Sequence, residues 1–303
     1  MSRTPLIVGA GLAGLLAAHA WPGARLIEGA PGPRSVHKAL LRFRSDAAAK
    51  LTGTEFKRVR VRKGVFSRGQ FCAPNIALCN QYALKTIGVL RDRSIWNVDP
   101  VDRYVAPEDW YEQLLDAVCS RIDWDAPYQA SPELPPVIST APLPAIMRAH
   151  GMIVPDLRRS GIRVTRWRVP NAAVYQTIYF PDPTTSVYRA SITGSLLIVE
   201  EALDMLPEFR VWEQLIEGAF GISMAEAERV DAADQSFGKV DELEPALRKS
   251  ILFELTSKFN VYSLGRFATW RNILLDDVVD DIAVIKRLLN SESKYELRKQ
   301  IST

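Results

Sequence analysis

Three glycines near the start of the sequence have the spacing of a phosphate-binding turn: Gly9, Gly11 and Gly14. They follow the apolar run Leu6–Val8, which predicts a buried strand, and they open a helix predicted over Leu12–Ala20. Gly9 permits a tight turn, Gly11 lets a pyrophosphate approach the main chain, and Gly14 lets the helix pack against the strand. This order of strand, glycine turn and helix predicts a dinucleotide-binding site.

The residues around this turn add donors and an acceptor. A helix that begins at Leu12 leaves the main-chain N–H groups of Leu12, Ala13 and Gly14 free to bind phosphate, at the positive end of the helix dipole. Glu28 ends the second predicted strand, over residues 25–28. Its carboxylate can accept hydrogen bonds from both hydroxyls of an adenosine ribose, whereas a 2′-phosphate would be repelled there.

The remaining patterns predict an α/β fold, in which a Rossmann-like dinucleotide-binding domain carries an inserted antiparallel β-sheet and helices as a substrate domain. Helices are predicted over residues 40–51, 107–122, 211–220, 244–258 and 276–290, and strands over 56–66, 136–140, 162–169, 174–180, 187–200 and 260–264. The predicted cofactor domain comprises residues 1–68, 105–150 and 255–303, and the predicted substrate domain comprises residues 69–104 and 151–254.

FAD is chosen over NAD because of a resemblance near the end of the chain. Residues 263–270, read as SLGRFATW, are similar to the C-terminal flavin motif of UDP-galactopyranose mutases and amine-oxidase-like flavoproteins, and residues 137–142 are similar to that family's strand returning to the flavin domain. In the family a Gly-Arg pair ends a strand and an Asp begins the last helix, positions that Arg266 and Asp276 match. The resemblance implies that both contact the flavin or its pyrophosphate, and that the cofactor is FAD.

The segment after the second strand contains candidates for catalysis. Residues 37–44, read as HKALLRFR, resemble small phage-encoded FAD-dependent proteins, some of which are associated with hypermodified thymines in viral DNA. His37 is a candidate acid or base near the flavin N5 atom, with Lys38 beside it. Arg42 and Arg44 are candidates for binding phosphate, and Arg44 is assigned to the cofactor.

Two further groups of cations are candidate substrate contacts. Arg189, in the predicted inserted sheet, supplies a cation among tyrosines and is the third catalytic candidate. Arg58, Arg60 and Arg62 alternate with apolar residues, so they share one face of a strand and could follow a phosphate backbone. The predicted partners are therefore a small-molecule or modified-nucleotide substrate, with DNA as a candidate.

Composition excludes other classes of protein. The chain has 303 residues, 47% of them apolar, and a net charge of +3, as in ordinary globular proteins. Its three cysteines form neither a disulfide framework nor a zinc signature, and no apolar run reaches the length of about 18 residues that a membrane span needs. We expect a cytoplasmic protein (in the host cytoplasm if viral), with no membrane partner and no metal centre.

The resemblance implies an FAD-dependent oxidoreductase or lyase that acts on a C–N bond of an amine or amino-acid-bearing substrate. Amino-acid-modified thymidine in phage DNA is the specific candidate. Two alternatives remain open at this point. One is an enzyme like UDP-galactopyranose mutase that acts on a nucleotide-sugar, and the other is a non-catalytic binding protein like the GDP-dissociation inhibitors, which use a related fold.

Overall fold

The computed structural model describes residues 4–33, 40–90, 95–170, 172–205 and 212–290. The strands are β1 (Leu6–Val8), β2 (Arg25–Ile27), β3 (Arg42–Phe43), β4 (Lys57–Ser67), β5 (Gln70–Cys72), β6 (Val101–Val105), β7 (Ile122–Asp123), β8 (Val137–Ser139), β9 (Arg159–Arg168), β10 (Val174–Tyr179), β11 (Val187–Gly194), β12 (Leu196–Ala202), β13 (Glu228–Val240) and β14 (Val261–Ser263). The helices are α1 (Leu12–Ala20), α2 (Ala47–Thr52), α3 (Ile76–Ile87), α4 (Trp110–Val118), α5 (Leu143–Ala149), α6 (Trp212–Phe220), α7 (Pro245–Phe259), α8 (Arg266–Thr269) and α9 (Leu275–Asn290), with short 3-10 turns at Cys119–Arg121, Leu203–Met205 and Met224–Glu226.

A five-stranded sheet in the order β14-β8-β1-β2-β7 forms the first layer, and all of its pairs are parallel. Its strands are mostly apolar because helices cover both faces. Buried residues of α1, α2, α4 and α9 pack on one face, and residues of α5 and α7 pack on the other. The carboxyl ends of β1, β8 and β14 therefore meet at one edge, where a dinucleotide-binding sheet binds its ligand.

A nine-stranded sheet forms the second part of the molecule. Its main order is β13-β9-β12-β11-β10-β4-β6-β3, and β5 pairs with β4 at the side. The pairs are antiparallel except for β10 with β4. Helix α6 packs on one face, and Leu78 and Tyr82 of α3 pack on the other. The predicted fold class, a Rossmann-like sheet with an inserted antiparallel sheet and helices, is confirmed.

The predicted division into domains stays a prediction, but β4 shows how closely its parts are joined. The first half of β4 pairs with β6, and the second half pairs with β10 of the inserted sheet. The whole of β4 lies in the predicted cofactor segment 1–68, yet it pairs almost entirely with strands of the two predicted substrate segments, 69–104 and 151–254.

Several local predictions were wrong. The helix predicted over residues 40–51 is the strand β3 followed by the shorter helix α2, because Arg42 and Phe43 pair with Val105 and Tyr104 of β6. The strand predicted over residues 187–200 is a hairpin of β11 and β12, since Gly194 turns the chain with a φ of +65°. Helix α3 and the long strand β13 were not predicted.

Among the described residues, no helix combines the length and the apolar character that a membrane crossing requires. The same part of the chain contains no group of three or more His, Cys, Asp or Glu side chains placed to hold a metal ion.

Candidate dinucleotide-binding site

The glycine turn lies at the carboxyl end of β1, and its three glycines differ in their surroundings. Gly9 has a φ of +101°, and a Cβ atom there would collide with the Thr140 hydroxyl. A Cβ atom on Gly14 would overlap the Gly9 carbonyl oxygen. At Gly11, by contrast, an added Cβ atom would meet nothing within 4 Å. Gly9 and Gly14 are therefore required by packing, whereas Gly11 leaves space that a ligand can occupy.

Thr140 holds this turn in place and was not among the predicted site residues. Its hydroxyl donates to the Val8 carbonyl at 2.8 Å and lies 3.2 Å from the Gly9 carbonyl, while its main-chain N–H also donates to Val8 at 2.8 Å. Thr140 follows β8, which pairs with β1. A polar residue just beyond a buried strand was the available signal, but the pairing of the two strands was needed to interpret it.

The start of α1 provides free donors beside Gly11. Gly11 is the residue that caps the helix, and it contributes no side-chain hydrogen bond. Because the first helical hydrogen bond joins the Leu15 N–H to the Gly11 carbonyl, the N–H groups of Leu12, Ala13 and Gly14 have no partner within the helix. Their number and direction suit an anionic group at this end of the helix.

The C-terminal motif lies against the same helix start. Gly265 has a φ of +92°, and a Cβ atom there would lie 3.0 Å from the Ala13 Cβ atom. The main-chain N–H of Leu264 donates to Ser139 at 2.8 Å, which fixes the motif at the end of β14. The two predicted cofactor motifs, about 250 residues apart in the sequence, are therefore in contact.

Glu28 is held beside the turn by main-chain donors. One carboxylate oxygen accepts the Ala10 N–H at 2.8 Å, and the other accepts the Ala30 N–H at 3.1 Å. Each carboxylate oxygen has a second lone pair, so the side chain can still accept hydrogen bonds from a ligand. The partly exposed carboxylate can therefore accept hydrogen bonds from a ligand, and its contact with a ribose stays a prediction.

Asp276 and Arg44, predicted as separate cofactor ligands, contact each other. The buried Asp276 carboxylate accepts the N–H of Arg44 and the N–H of Ser45, each at 3.0 Å, and lies 3.2 Å from the Ser45 hydroxyl. The Arg44 side chain pairs with Asp277, which raises the pKa of its guanidinium. Both residues therefore attach the chain after β3 to the start of α9, and their contact with a cofactor stays a prediction.

Arg266 donates to the main chain of two distant segments. Its guanidinium lies 3.0 Å from the Ile273 carbonyl and 3.2 Å from the Gly238 carbonyl. These bonds connect the C-terminal motif to the segment before α9 and to β13. In this arrangement Arg266 positions the motif, and a direct contact with the flavin stays a prediction.

Of the three predicted catalytic residues, Arg189 lies in the described part of the chain, whereas His37 and Lys38 lie outside it. Arg189 forms an ion pair with Glu200, with a second contact of 2.6 Å, and the Tyr188 hydroxyl donates to the same carboxylate at 3.1 Å. Burial alone would raise the pKa of Glu200, but the charge of Arg189 outweighs it and lowers that pKa. The charge of Arg189 is therefore balanced within the protein.

The predicted basic strand face exists. Arg58, Arg60 and Arg62 are all exposed on one side of β4. Arg58 and Arg60 share the carboxylate of Asp102, at 2.7 and 3.0 Å. One acid therefore balances part of the charge of three arginines.

No family model matches the chain, and no curated protein sequence matches it. Solved structures do match. Reduced UDP-galactopyranose mutase is similar over 97% of this chain and 96% of its own, with 14% identity and a TM-score of 0.66. PqsL from P. aeruginosa in complex with 2-aminobenzoylacetate is similar over 97% of this chain and 89% of its own, with 12% identity and a TM-score of 0.54. An oxidoreductase from Methanosarcina mazei is similar over 93% of this chain and 99% of its own, with 10% identity and a TM-score of 0.53. The chain therefore shares the fold of these solved structures.

Proposed function

We propose that the chain is an FAD-dependent oxidoreductase that binds FAD along the turn at residues 9–14. The observation that carries this proposal is the open space at Gly11, beside the uncapped start of α1 and against the motif at Gly265. Main-chain N–H groups at that helix start can bind a pyrophosphate, and Glu28 can accept the hydroxyls of the adenosine ribose. The fold shared with a mutase and an oxidoreductase over nearly the whole chain supports the same reading.

The finer proposal is that the reaction breaks a C–N bond of an amine or amino-acid-bearing substrate. When bound, FAD would supply a two-electron acceptor for a hydride from the carbon beside the nitrogen. Water would then hydrolyse the substrate imine to a carbonyl compound and an amine, and an external acceptor such as dioxygen would reoxidise the cofactor. His37 and Lys38 are the proposed proton-transfer groups. PqsL, which has this fold, was solved with 2-aminobenzoylacetate, a ligand that contains an amino group and a carboxylate.

A direct test is anaerobic mixing of the flavin-loaded protein with candidate amines. We expect thymidine that carries an amino acid on its 5-methyl carbon to bleach the flavin absorption. Once an electron acceptor is added, an oxo-acid should be released. The parent thymidine is the control. If none of the tested amines bleaches the flavin, the proposed cleavage of a C–N bond is wrong.

Conversion of a nucleotide-sugar is the second candidate, favoured by the TM-score of 0.66 to UDP-galactopyranose mutase. Isomerisation of UDP-galactopyranose by the reduced protein, without net consumption of reductant, would establish that reading. A non-catalytic binding protein would give neither reaction.

DNA as the carrier of the substrate is supported by the exposed arginines of β4. Changing Arg58, Arg60 and Arg62 together to Ser should reduce the slope of log affinity against log salt by about 0.9 for each phosphate that the variant no longer neutralises. The control is Arg158→Ser, because Arg158 is also exposed and also pairs with one carboxylate, that of Asp156. Binding of duplex DNA with an equal slope in wild type and triple variant would argue against this face.

A further inference from the structure

Arg42 extends from β3 onto the face of the antiparallel sheet. Its Nε atom donates to the Thr193 hydroxyl at 2.9 Å, and one terminal nitrogen donates to the Thr177 hydroxyl at 3.0 Å. The terminal nitrogens also donate to the main-chain carbonyls of Gln176, at 3.4 Å, and Ile192. All of these acceptors are neutral.

The charge of Arg42 has no balancing carboxylate among the described residues, where none of the ion pairs includes it. Burial, reinforced by the nearby charge of Arg189, lowers the pKa of the Arg42 guanidinium to about 10. The neighbouring cation Arg189 is balanced by Glu200, so it does not offer a free charge. A partly buried charge without a counter-ion is unfavourable, and an anion at this position would reduce that cost.

The position of Arg42 connects the two sheets. Two residues further along the chain, the N–H of Arg44 binds Asp276 at the start of α9. On the other side, Tyr175 and Thr177 of β10 lie opposite Thr193 and Ser191 of β11, so their side chains share one face. The guanidinium therefore lies among hydroxyl groups at the junction of the cofactor sheet and the inserted sheet.

We propose that Arg42 binds an oxyanion of the substrate, a carboxylate or a phosphate group, as a bidentate donor on this face. A planar guanidinium matches either group with two parallel hydrogen bonds, which would replace the two long bonds to Gln176. The inference deepens the proposed function by naming a substrate group, and it rests on that function for the identity of the site. It assigns the substrate contact to Arg42 and leaves Arg189 in its pair with Glu200.

The test is calorimetric titration of the protein as purified with benzoate, phenyl phosphate and benzamide, which share one ring and differ in charge. Wild type should bind at least one of the two anions at least tenfold more tightly than neutral benzamide. The anion preferred distinguishes a carboxylate substrate from a phosphate substrate. Arg42→Met should reduce the affinity for that anion at least tenfold.

Arg121→Met is the matched control, because Arg121 is also partly buried and also donates to main-chain carbonyls, those of Ala18, Trp21 and Ala24. It should leave anion binding unchanged. If Arg42→Met does not fold, Arg42→Lys is used in its place, because lysine keeps the charge and removes the paired donors. This variant should bind the anion at least fivefold more weakly than wild type.

Equal binding of anions and benzamide by wild type, or unchanged anion affinity in the folded Arg42 variant, would overturn the inference. The flavin content of each preparation is measured separately by absorbance. A protein without flavin would refute the proposed cofactor, whereas the anion titration would still decide the role of Arg42.

Discussion

The glycine turn and the Arg42 face offer binding groups of different origin. At the turn, the donors are main-chain N–H groups, and the side-chain acceptor Glu28 is itself held by the N–H groups of Ala10 and Ala30. On the antiparallel sheet, the binding groups are side chains. Arg42 belongs to β3, the last strand in the order of that sheet, and its side chain reaches Thr193 of β11. The first site depends on backbone shape, and the second depends on charges brought together by strand order. Substitutions should therefore separate the two regions.

The largest effect is expected at the turn, where Gly14 and Gly11 should differ. Gly14→Ala places a Cβ atom on the Gly9 carbonyl oxygen, so we expect a loss of about 4 kcal/mol or more in the free energy of unfolding, or no folded protein. Gly11→Val enters open space, so with flavin removed from both proteins its free energy of unfolding should stay within about 1 kcal/mol of wild type, whereas FAD binding should be abolished.

Urea unfolding and flavin absorbance measure these two effects. Gly23→Ala is the control, since a Cβ atom there meets only Thr4, at 3.6 Å. Equal stability of the Gly14 and Gly23 variants would show that the packing of α1 on the turn is misassigned.

The second effect belongs to the antiparallel sheet. Glu200→Gln leaves the charge of Arg189 buried without its partner, so we expect a loss of about 3–5 kcal/mol in unfolding free energy. Because the pKa of Glu200 is lowered in the folded state, its stabilisation should be present above pH 4–5 and should disappear as the pH falls through its folded pKa. Wild type should therefore lose more stability than the variant on acidification, and flavin retention should not change. If folded Glu200→Gln lost its flavin at neutral pH, the ion pair on the antiparallel sheet and flavin binding at the turn would not be independent.

The smallest effect concerns Lys85, which attaches α3 to the tip of the β10–β11 hairpin. Its buried ammonium donates to the carbonyls of Phe180, Asp182 and Val187 at 2.6 to 2.9 Å, and burial lowers its pKa to about 7. In the unfolded chain the lysine pKa is about 10.4, so between pH 7 and that value the unfolded state binds more protons than the folded state. Stability should thus rise with pH in that window, by about 2 kcal/mol from pH 7 to pH 9.

Lys85→Met should remove this difference, as measured by urea unfolding at the two pH values. A pH dependence that is identical in wild type and variant would show that the lysine is solvated.

The sequence predicted the features that depend on neighbouring residues. The spacing of Gly9, Gly11 and Gly14 and the position of Glu28 predicted the geometry of the turn, because strand, turn and helix follow one another directly. Interactions set by strand pairing were missed. The Thr140 hydroxyl reaches Gly9 across two strands, and Arg42 reaches residues about 135 to 151 positions away.

Strand β13 was missed for a related reason. It is rich in charged and small residues, which are not typical of a buried strand. It pairs with β9 through the main chain, and its acids lie beside arginines of that strand: Asp231 pairs with Arg166, and Asp234 pairs with Arg163. These pairs depend on the register of two strands more than 60 residues apart, which a local pattern does not contain.

Binding of FAD by this chain is tested most directly by the cofactor content of the purified protein. We expect a yellow protein with an absorption band in the blue, one FAD released per chain on denaturation, and no flavin in folded Gly11→Val. Thermal unfolding with added FAD should show stabilisation, and NAD should have no effect. A colourless protein that NAD stabilises and FAD does not would show that FAD is not the cofactor.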